Sequence, residues 1–304
     1  MIYTVTFNPA LDYVVRVDHY EAGMTNRSHD EQLLYGGKGV NVSYILKQLG
    51  FDSVALGFVA GFTGQEFVKG IEEMGITSQM ITLKEGLTRI NVKLKSDEES
   101  EINASGPKIP QESIDELYQQ LDKLQDKDIL VLSGSIPSSL PDTIYQDIMA
   151  YLQNKDILYV VDATKDLLVN VLQYKPFLIK PNNFELAEIF NVELKNDDDI
   201  IFYAKKLQEK GARNVLISMA GDGSILVDEN GHVTKMGVPK GTVKNSVGAG
   251  DSMLAGFIGG YLRDYDYSKT LALATACGSS TAFSDTLARK DEIDALFEVT
   301  QKMI

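Results

Sequence analysis

Short, unbroken apolar runs alternate along this chain with segments whose apolar residues recur at helical spacing. Ile2–Thr6 and residues 53–59, 129–132, 157–161, 177–179 and 215–218 read as strands. Between them, Val42, Ile45, Leu46 and Leu49 fall on one helical face, and Gly50 ends that helix. Phe67, Ile71 and Met74 mark a second helix closed by Gly75. Ile114, Leu117, Leu121 and Leu124 mark a third, entered just after Pro110; Ile144, Ile148 and Leu152 line another, and a further helix surrounds 204–207. Continuous apolar strands alternating with helices predict a mostly parallel sheet covered on both faces. Near the end, Glu229-Asn230-Gly231-His232 is a hairpin turn, followed by helical patterns over 251–263, 268–284 and 291–302. Asp197, Asp198 and Asp199 suit the first turn of the helix they precede.

Residues 13–17 and 88–104 depart from this rhythm. In the second, Ile90, Val92 and Leu94 alternate with Arg89, Asn91, Lys93 and Lys95, giving one apolar and one polar face. These segments predict a separate small sheet whose apolar face needs a cover. A second copy of the chain supplies one; packing of a surface hairpin on its own domain supplies another. The pattern alone leaves both open.

Charge narrows the choice of partner. The 304 residues include 29 basic and 43 acidic side chains, a formal charge of −14. Sequence-independent nucleic-acid binding needs a basic surface, so this balance argues against it. Small anionic ligands stay possible through local clusters of Lys and Arg. The length allows two domains or one large α/β unit. The lone Cys277 permits no internal disulfide and no CxxC site, which fits a reducing cytoplasm. The first residues lack a basic stretch followed by an apolar core, so no signal peptide is expected. No run approaches the about 20 apolar residues of a membrane helix. His19, His29 and His232 have no partners at metal-ligand spacing, which leaves a zinc enzyme or a Ser-His-Asp hydrolase little support.

The densest chemical signal is Asn245-Ser246-Val247-Gly248-Ala249-Gly250-Asp251-Ser252, directly before an apolar helix. Small residues leave backbone amides accessible, and the helix adds its own free amides and the positive end of its dipole. Such a mouth holds a phosphate or developing negative charge. Asp251 in the first turn is suited to accept a proton from an attacking hydroxyl. An ordinary small-residue loop with an acidic first turn also fits the string. Neither a Walker A loop nor G-x-G-x-x-G is present, so a P-loop ATPase and a Rossmann dehydrogenase are disfavoured.

Three further segments stand at strand ends or helix starts. Gly36-Gly37-Lys38-Gly39-Val40-Asn41 allows close backbone approach and offers the Lys38 charge, or else is a turn with a solvated lysine. Asn8-Pro9-Ala10-Leu11-Asp12 follows the first strand, where α/β sheets bind ligands, so Asp12 can take sugar hydroxyls or simply close a turn. In Lys180-Pro181-Asn182-Asn183-Phe184-Glu185, Asn182 and Glu185 share one helical side and can hold a hydrated magnesium ion or a phosphate. Viewed alone, a capping box is the favoured reading of that segment.

Together these segments resemble the ribokinase-like (PfkB) carbohydrate kinases. The glycine segment at 36–41, Gly248-Ala249-Gly250-Asp251, an N-x-x-E motif at 182–185 and Ser218-Met219-Ala220-Gly221-Asp222-Gly223 occur in the family's order over essentially the whole chain. The opening at 4–12, the segment 56–64 ending in Gly61-Phe62-Thr63-Gly64, and Lys244-Asn245-Ser246-Val247 are similar to members that act on fructose 1-phosphate. Tagatose-6-phosphate kinases share much of the pattern. Many relatives carry Asp-Thr where this chain has Asn245-Ser246, which counts against a ribokinase or adenosine kinase.

The resemblance implies one ribokinase-like domain over 1–304. Its fold would be an α/β three-layer sandwich, with small-sheet lid strands inserted at about 12–35 and 87–105. It implies ATP and Mg2+ as cofactors and transfer to the 6-hydroxyl of D-fructose 1-phosphate, with a non-catalytic sugar-phosphate sensor as the rival. Asp251 would be the base, and the amides of Gly248, Ala249 and Gly250 the anion hole. Asp12, Gly37 and Asn41 would hold sugar hydroxyls; Lys38, Arg89 and Arg27 would neutralise the sugar's phosphate; Ser133 and Gly134 would line the pocket. Lys180, Asn182, Glu185, Ser218, Gly221, Gly223 and Gly278 would border the nucleotide, with Glu185 reaching the metal through water. Cys277 would be a packing residue. The lid would also form a homodimer interface, and the enzyme would be cytoplasmic.

Overall fold

The structure, a computed structural model, describes all 304 residues. Strand β1 (Ile2–Thr6) is followed by β2 (Ala10–Arg16), β3 (Asp30–Gly36) and helix α1 (Lys38–Gln48). Next come β4 (Val54–Ala60), α2 (Gly61–Glu73), β5 (Thr77–Ser78), β6 (Ile81–Leu83), β7 (Arg89–Lys95) and β8 (Ser100–Ile102). The middle holds α3 (Gln111–Leu121), β9 (Ile129–Ser133), α4 (Ile144–Tyr151), β10 (Leu158–Asp162) and α5 (Lys165–Val171). It continues with β11 (Leu178–Ile179), α6 (Asn183–Phe190), α7 (Asp197–Glu209) and β12 (Asn214–Ser218). The hairpin β13 (Ser224–Val227) and β14 (Val233–Met236) precedes α8 (Ala249–Leu262), α9 (Tyr267–Phe283) and α10 (Lys290–Thr300).

The main sheet runs β14-β13-β12-β11-β10-β9-β1-β4-β5, with β6 also on β4. Pairing is parallel from β12 through β5, and antiparallel only in the β12-β13-β14 edge. Every residue of β4, β9 and β10 is buried, as a strand covered on both faces requires. One face packs on α1, α8, α9 and α10, through Ile45, Leu46, Leu254, Phe257 and Ile293. The other packs on α3 to α7, through Leu117, Ile148, Leu168, Leu186 and Leu207. This is the expected three-layer α/β sandwich. The carboxyl ends of β1, β9 and β10 and the residue after β11 lie along one edge, where ligands bind in open α/β sheets. No helix is long and apolar enough to cross a membrane.

A second sheet, ordered β3-β2-β7-β8, stands off this edge. Strands β2, β7 and β8 fall on the alternating segments and β3 within the lid range implied by the resemblance, but the faces are used differently from a hairpin packed on its own domain. Asn91 is buried and Asp12 half-buried on the polar face, which turns toward the body. Tyr13, Leu33, Ile90 and Ile102 on the apolar face are exposed in the single chain. The reason is electrostatic. Asn91 bonds Asp12, Arg89 bonds backbone carbonyls and Lys93 pairs with Glu101, so their inward burial leaves few orphaned charges.

Candidate active site

A cavity of about 590 Å³ lies between the small sheet and the strand ends. It is lined by Asp12, Gly37, Lys38, Asn41, Arg89, Ser133, Gly134, Gly248 and Asp251, which the sequence had singled out. Thr6, Asn8, Ser135 and Asn245 also line it. The buried oxygens Thr6 Oγ1, Asn8 Oδ1 and Ser133 Oγ have no hydrogen-bond partner. Buried polar atoms are rarely left so; Thr6 Oγ1 lies against Gly39 and Asn8 Oδ1 against Gly106, just behind the cavity wall.

The floor of the site is the mouth of α8. Gly248 is the N-cap at φ 80°, a left-handed conformation that glycine adopts without penalty, and no side chain caps the helix. The Ala249 amide donates to Ser246 O at 3.2 Å. It is therefore already engaged, which removes it from the expected trio of free donors. Gly248, Gly250 and Asp251 form no backbone hydrogen bond through their amides and stay free. A Cβ on Gly250 would stand 3.1 Å from Lys180 Nζ, so the buried Lys180 ammonium faces the same mouth.

Asp251 is only 5% exposed, and its Oδ2 accepts from Asn41 Nδ2 at 2.8 Å. Burial and the neighbouring Asp162 charge push its carboxyl up to about 6, against the pull of Lys38, Asn41 and Lys180. At neutral pH it is an ionised base with a conjugate acid of moderate strength.

Asp162, at the end of β10, organises the cations. Its Oδ2 accepts from Lys38 Nζ at 2.9 Å, and its Oδ1 lies 3.5 Å from Lys180 Nζ. Burial alone would raise this carboxyl, but Lys180 and then Lys38 hold it below its ordinary value. Burial opposes the charged form of Lys38, yet Asp162, Asp251 and Glu185 together raise its pKa. Lys38 therefore belongs to the charge cluster at the α8 mouth. Arg89 belongs to another, with Asp12.

That second cluster roofs the cavity. Asn91 Nδ2 donates to Asp12 Oδ1 at 2.8 Å, and Asn91 Oδ1 accepts from the Ala104 amide. Burial raises the Asp12 carboxyl, opposed by Asn91, Lys93 and Arg89. Any Cβ at Gly36 would sit 2.4 Å from Asp12 Oδ2, so glycine is what lets the carboxylate lie there. Arg89 Nε donates to Asn8 O at 3.2 Å, and Nη1 reaches Ala104 O at 3.4 Å. Of five guanidinium N–H groups, three are left for a ligand.

The remaining expected residues lie elsewhere. Arg27 is exposed on the β2–β3 loop and does not line the cavity, because that loop projects beyond the small sheet. Asn182 and Glu185 close a reciprocal capping box on α6, at 2.8 Å in each direction. Ser218 bridges to Asn182, and Gly221 and Gly223 belong to the turn that follows it. Gly278 is buried in α9 against Ala249 O, so it brings α8 and α9 together instead of bordering open space. Cys277 is fully buried and its thiol is pushed up by burial, in keeping with packing.

Asp162 went unread in the sequence, although a signal existed. It directly follows the apolar run 157–161, the same place that Ser133 and Lys180 hold after theirs.

This arrangement can bind a hydroxylated anion, deprotonate one hydroxyl and stabilise charge opposite it. Residues 5–289 match the family described as pfkB family carbohydrate kinase. The chain is 43% identical to a 1-phosphofructokinase of Bacillus subtilis (strain 168), over 97% of each chain. It is 36% identical to a D-tagatose-1-phosphate kinase of Bacillus licheniformis, over 97% of this chain and 96% of that one. Its fold superimposes on Escherichia coli phosphofructokinase-2, crystallised with substrates and products, with a TM-score of 0.93, 24% identity and 99% of each chain covered. With this match over nearly its whole length, the chain belongs to the pfkB family of carbohydrate kinases.

Proposed function

We propose that the chain is a 1-phosphofructokinase, transferring the γ-phosphoryl group of ATP to the 6-hydroxyl of D-fructose 1-phosphate. The products are fructose 1,6-bisphosphate and ADP. The observation that carries this reading is the buried Asp251 carboxylate beside the free Gly248 and Gly250 amides, facing a cavity lined by Asp12, Lys38 and Arg89. In it, O6 attacks the γ-phosphorus, its proton passes to Asp251, and the bond to the bridging oxygen of ADP breaks. The free amides and Lys180 meet the charge on the moving group. Asp12 and Asn41 orient the sugar, and Arg89 takes the 1-phosphate.

Sharing of much of the chain with a relative named for tagatose 1-phosphate keeps that epimeric ketose phosphate as a second acceptor. Tagatose 6-phosphate belongs in the same comparison. A non-catalytic sensor gains nothing from the relatives, which are named as kinases.

Magnesium fits the residues present. No three acidic, His or Cys side chains converge into a cage, and magnesium commonly keeps several waters while bridging phosphates. One Glu185 oxygen serves the capping box and the other is available to such a hydrated ion. The ion would neutralise nucleotide charge. The nucleotide itself would lie toward Lys180, Ser218, Gly221 and Gly223.

The small sheet would act as a lid, closing over the sugar and excluding water. Its exposed apolar face supports a homodimer formed through the lid. The lone, buried Cys277 supports a cytoplasmic setting.

An assay coupled to ADP release tests the reading, with fructose 1-phosphate, tagatose 1-phosphate, tagatose 6-phosphate and fructose 6-phosphate as acceptors. The highest kcat/KM is expected with fructose 1-phosphate. Preference for another acceptor would reassign the substrate, and no ADP with any of them would leave only a sensor.

A further inference from the structure

The segment Gly61-Phe62-Thr63-Gly64 lies outside the cavity, yet its chemistry is spent on the lid. It forms the first turn of α2, with Ala60 as N-cap and no side-chain cap. The groups that usually cap a helix start go instead to Thr88, the residue before Arg89. The Ala60 amide donates to Thr88 Oγ1 at 2.9 Å, and the Thr88 amide donates to Ala60 O at 2.9 Å. Thr63 stands at the third helical position, where a side chain commonly folds back onto its own N-cap. Its hydroxyl reaches back to the N-cap only at 3.4 Å, to Ala60 O, and donates to Thr88 O at the shorter 2.8 Å. Thr63 and Thr88 are each only 1% exposed, so these bonds are shielded from water.

The two glycines make the approach possible. Gly61 has φ 61°, and a Cβ there would meet Leu87 Cδ2 at 2.4 Å and Gly86 O at 2.9 Å. At Gly64 a Cβ would lie 3.0 Å from Thr88 Oγ1. Three hydrogen bonds and two close contacts therefore fix the backbone one residue before the guanidinium that roofs the cavity. An ångström of drift at such a support is enough to spoil a binding geometry.

We propose that this first turn of α2 is the anchor that sets Arg89 over the cavity, with Thr63 as a positioning residue for recognition of the sugar's phosphate. The inference rests on Arg89 as the phosphate ligand, and it assigns the specificity of that contact to a hydroxyl that never touches substrate.

The test compares Thr63→Val, Thr63→Ser, Gly64→Ala, Arg89→Ala and the double variant Thr63→Val/Arg89→Ala in steady-state kinetics with fructose 1-phosphate. Arg89→Ala should raise KM roughly 10- to 100-fold, as loss of charged hydrogen bonds implies. Thr63→Val should raise KM for the sugar phosphate roughly three- to tenfold, with kcat and KM for ATP within about twofold. Thr63→Ser keeps the hydroxyl and should restore the native KM. Gly64→Ala presses on Thr88 Oγ1 and should move KM in the same direction as Thr63→Val. In the Arg89→Ala background, Thr63→Val should add no further change in KM. A lowered melting temperature with unchanged KM in both Thr63→Val and Gly64→Ala would make the turn merely structural and overturn the proposal while sparing Arg89. Equal KM effects of Thr63→Val with and without Arg89 would overturn it too. Unchanged KM in Arg89→Ala would overturn both the phosphate assignment and the anchor.

Discussion

Asn41 Nδ2 donates to Asp251 Oδ2 over 2.8 Å and so ties the first turn of α1 to the first turn of α8. One carboxylate oxygen is thereby held, and the other is left to meet a hydroxyl. The bond favours the ionised form, yet burial and Asp162 outweigh it and leave the carboxyl at about 6. Both the chemistry and the stability of the protein should carry that signature.

For the chemistry, kcat/KM should fall tenfold per pH unit below about 6, as the base is protonated, and level off above it. Asp251→Asn should lower kcat by roughly 10²–10⁴ at pH 8, the span of general-base loss, and abolish the acid limb. Calorimetric titration should still detect ATP and fructose 1-phosphate. Near-native turnover in that variant would remove Asp251 from the base role.

For stability, the sign follows from the raised carboxyl. Between its ordinary value of 3.8 and about 6, the folded state binds a proton that the unfolded chain does not. The contribution is fully present below 3.8 and is lost as pH rises through 6. Above that, the buried charge works against folding. Asp251→Asn should therefore raise the melting temperature at pH 8 relative to the native enzyme, and the advantage should vanish near pH 4. A lower melting temperature at pH 8 would mean that the cations around Asp251 outweigh its burial.

Asp162 has the opposite sign. Lys180 and Lys38 hold its carboxyl below the ordinary range, so its contribution is present above 3.8 and lost as pH falls through its lowered value. Asp162→Asn would leave two ammonium groups without their shared partner. A loss of about 3–5 kcal/mol, the cost of breaking a buried pair, is expected from urea titration at pH 7. The variant should also shift the acid limb of kcat/KM below pH 6, because the Asp162 charge helps to raise Asp251. An unshifted limb in folded Asp162→Asn would show that burial alone sets the base.

What the sequence made legible follows the range of the forces involved. The strands at 129–132 and 157–161 and the helix mouths at Gly37 and Gly248 are local patterns, and the structure reproduces them. Helix α5 offers only seven residues of weak periodicity and was missed. β3 was also poorly marked, since Asp-Glu-Gln at its start hides the alternation. The place of Asp162 after an apolar strand is legible, but its pairing with Lys38, 124 residues away, is not, because no local rule couples them. Alternation in β7 identified two faces but not which one turns inward. That choice depends on Asp12 and Ala104, which arrive from other segments to partner Asn91. The N-x-x-E motif shows the converse, since its local capping-box reading and its proposed metal role coexist on two oxygens of one carboxylate.

The outward face of the lid gives the last prediction. Leu33, Tyr13, Val92 and Ile102 pair in register across all four strands, forming one apolar row. Ile102 is 71% exposed in the single chain, and Tyr13 and Leu33 are exposed beside it. An apolar row across a sheet is uncommon on a free surface and suits burial against a second copy. Sedimentation of the native chain should give a dimer at micromolar concentration. Ile102→Asp would place two carboxylates in that interface, one from each copy, without disturbing the packed interior of either. It should shift the dissociation constant at least 100-fold toward monomer, since an unpaired charge in an interface costs several kcal/mol. A monomeric native chain, or an Ile102→Asp variant as dimeric as the native one, would exclude this face as the interface.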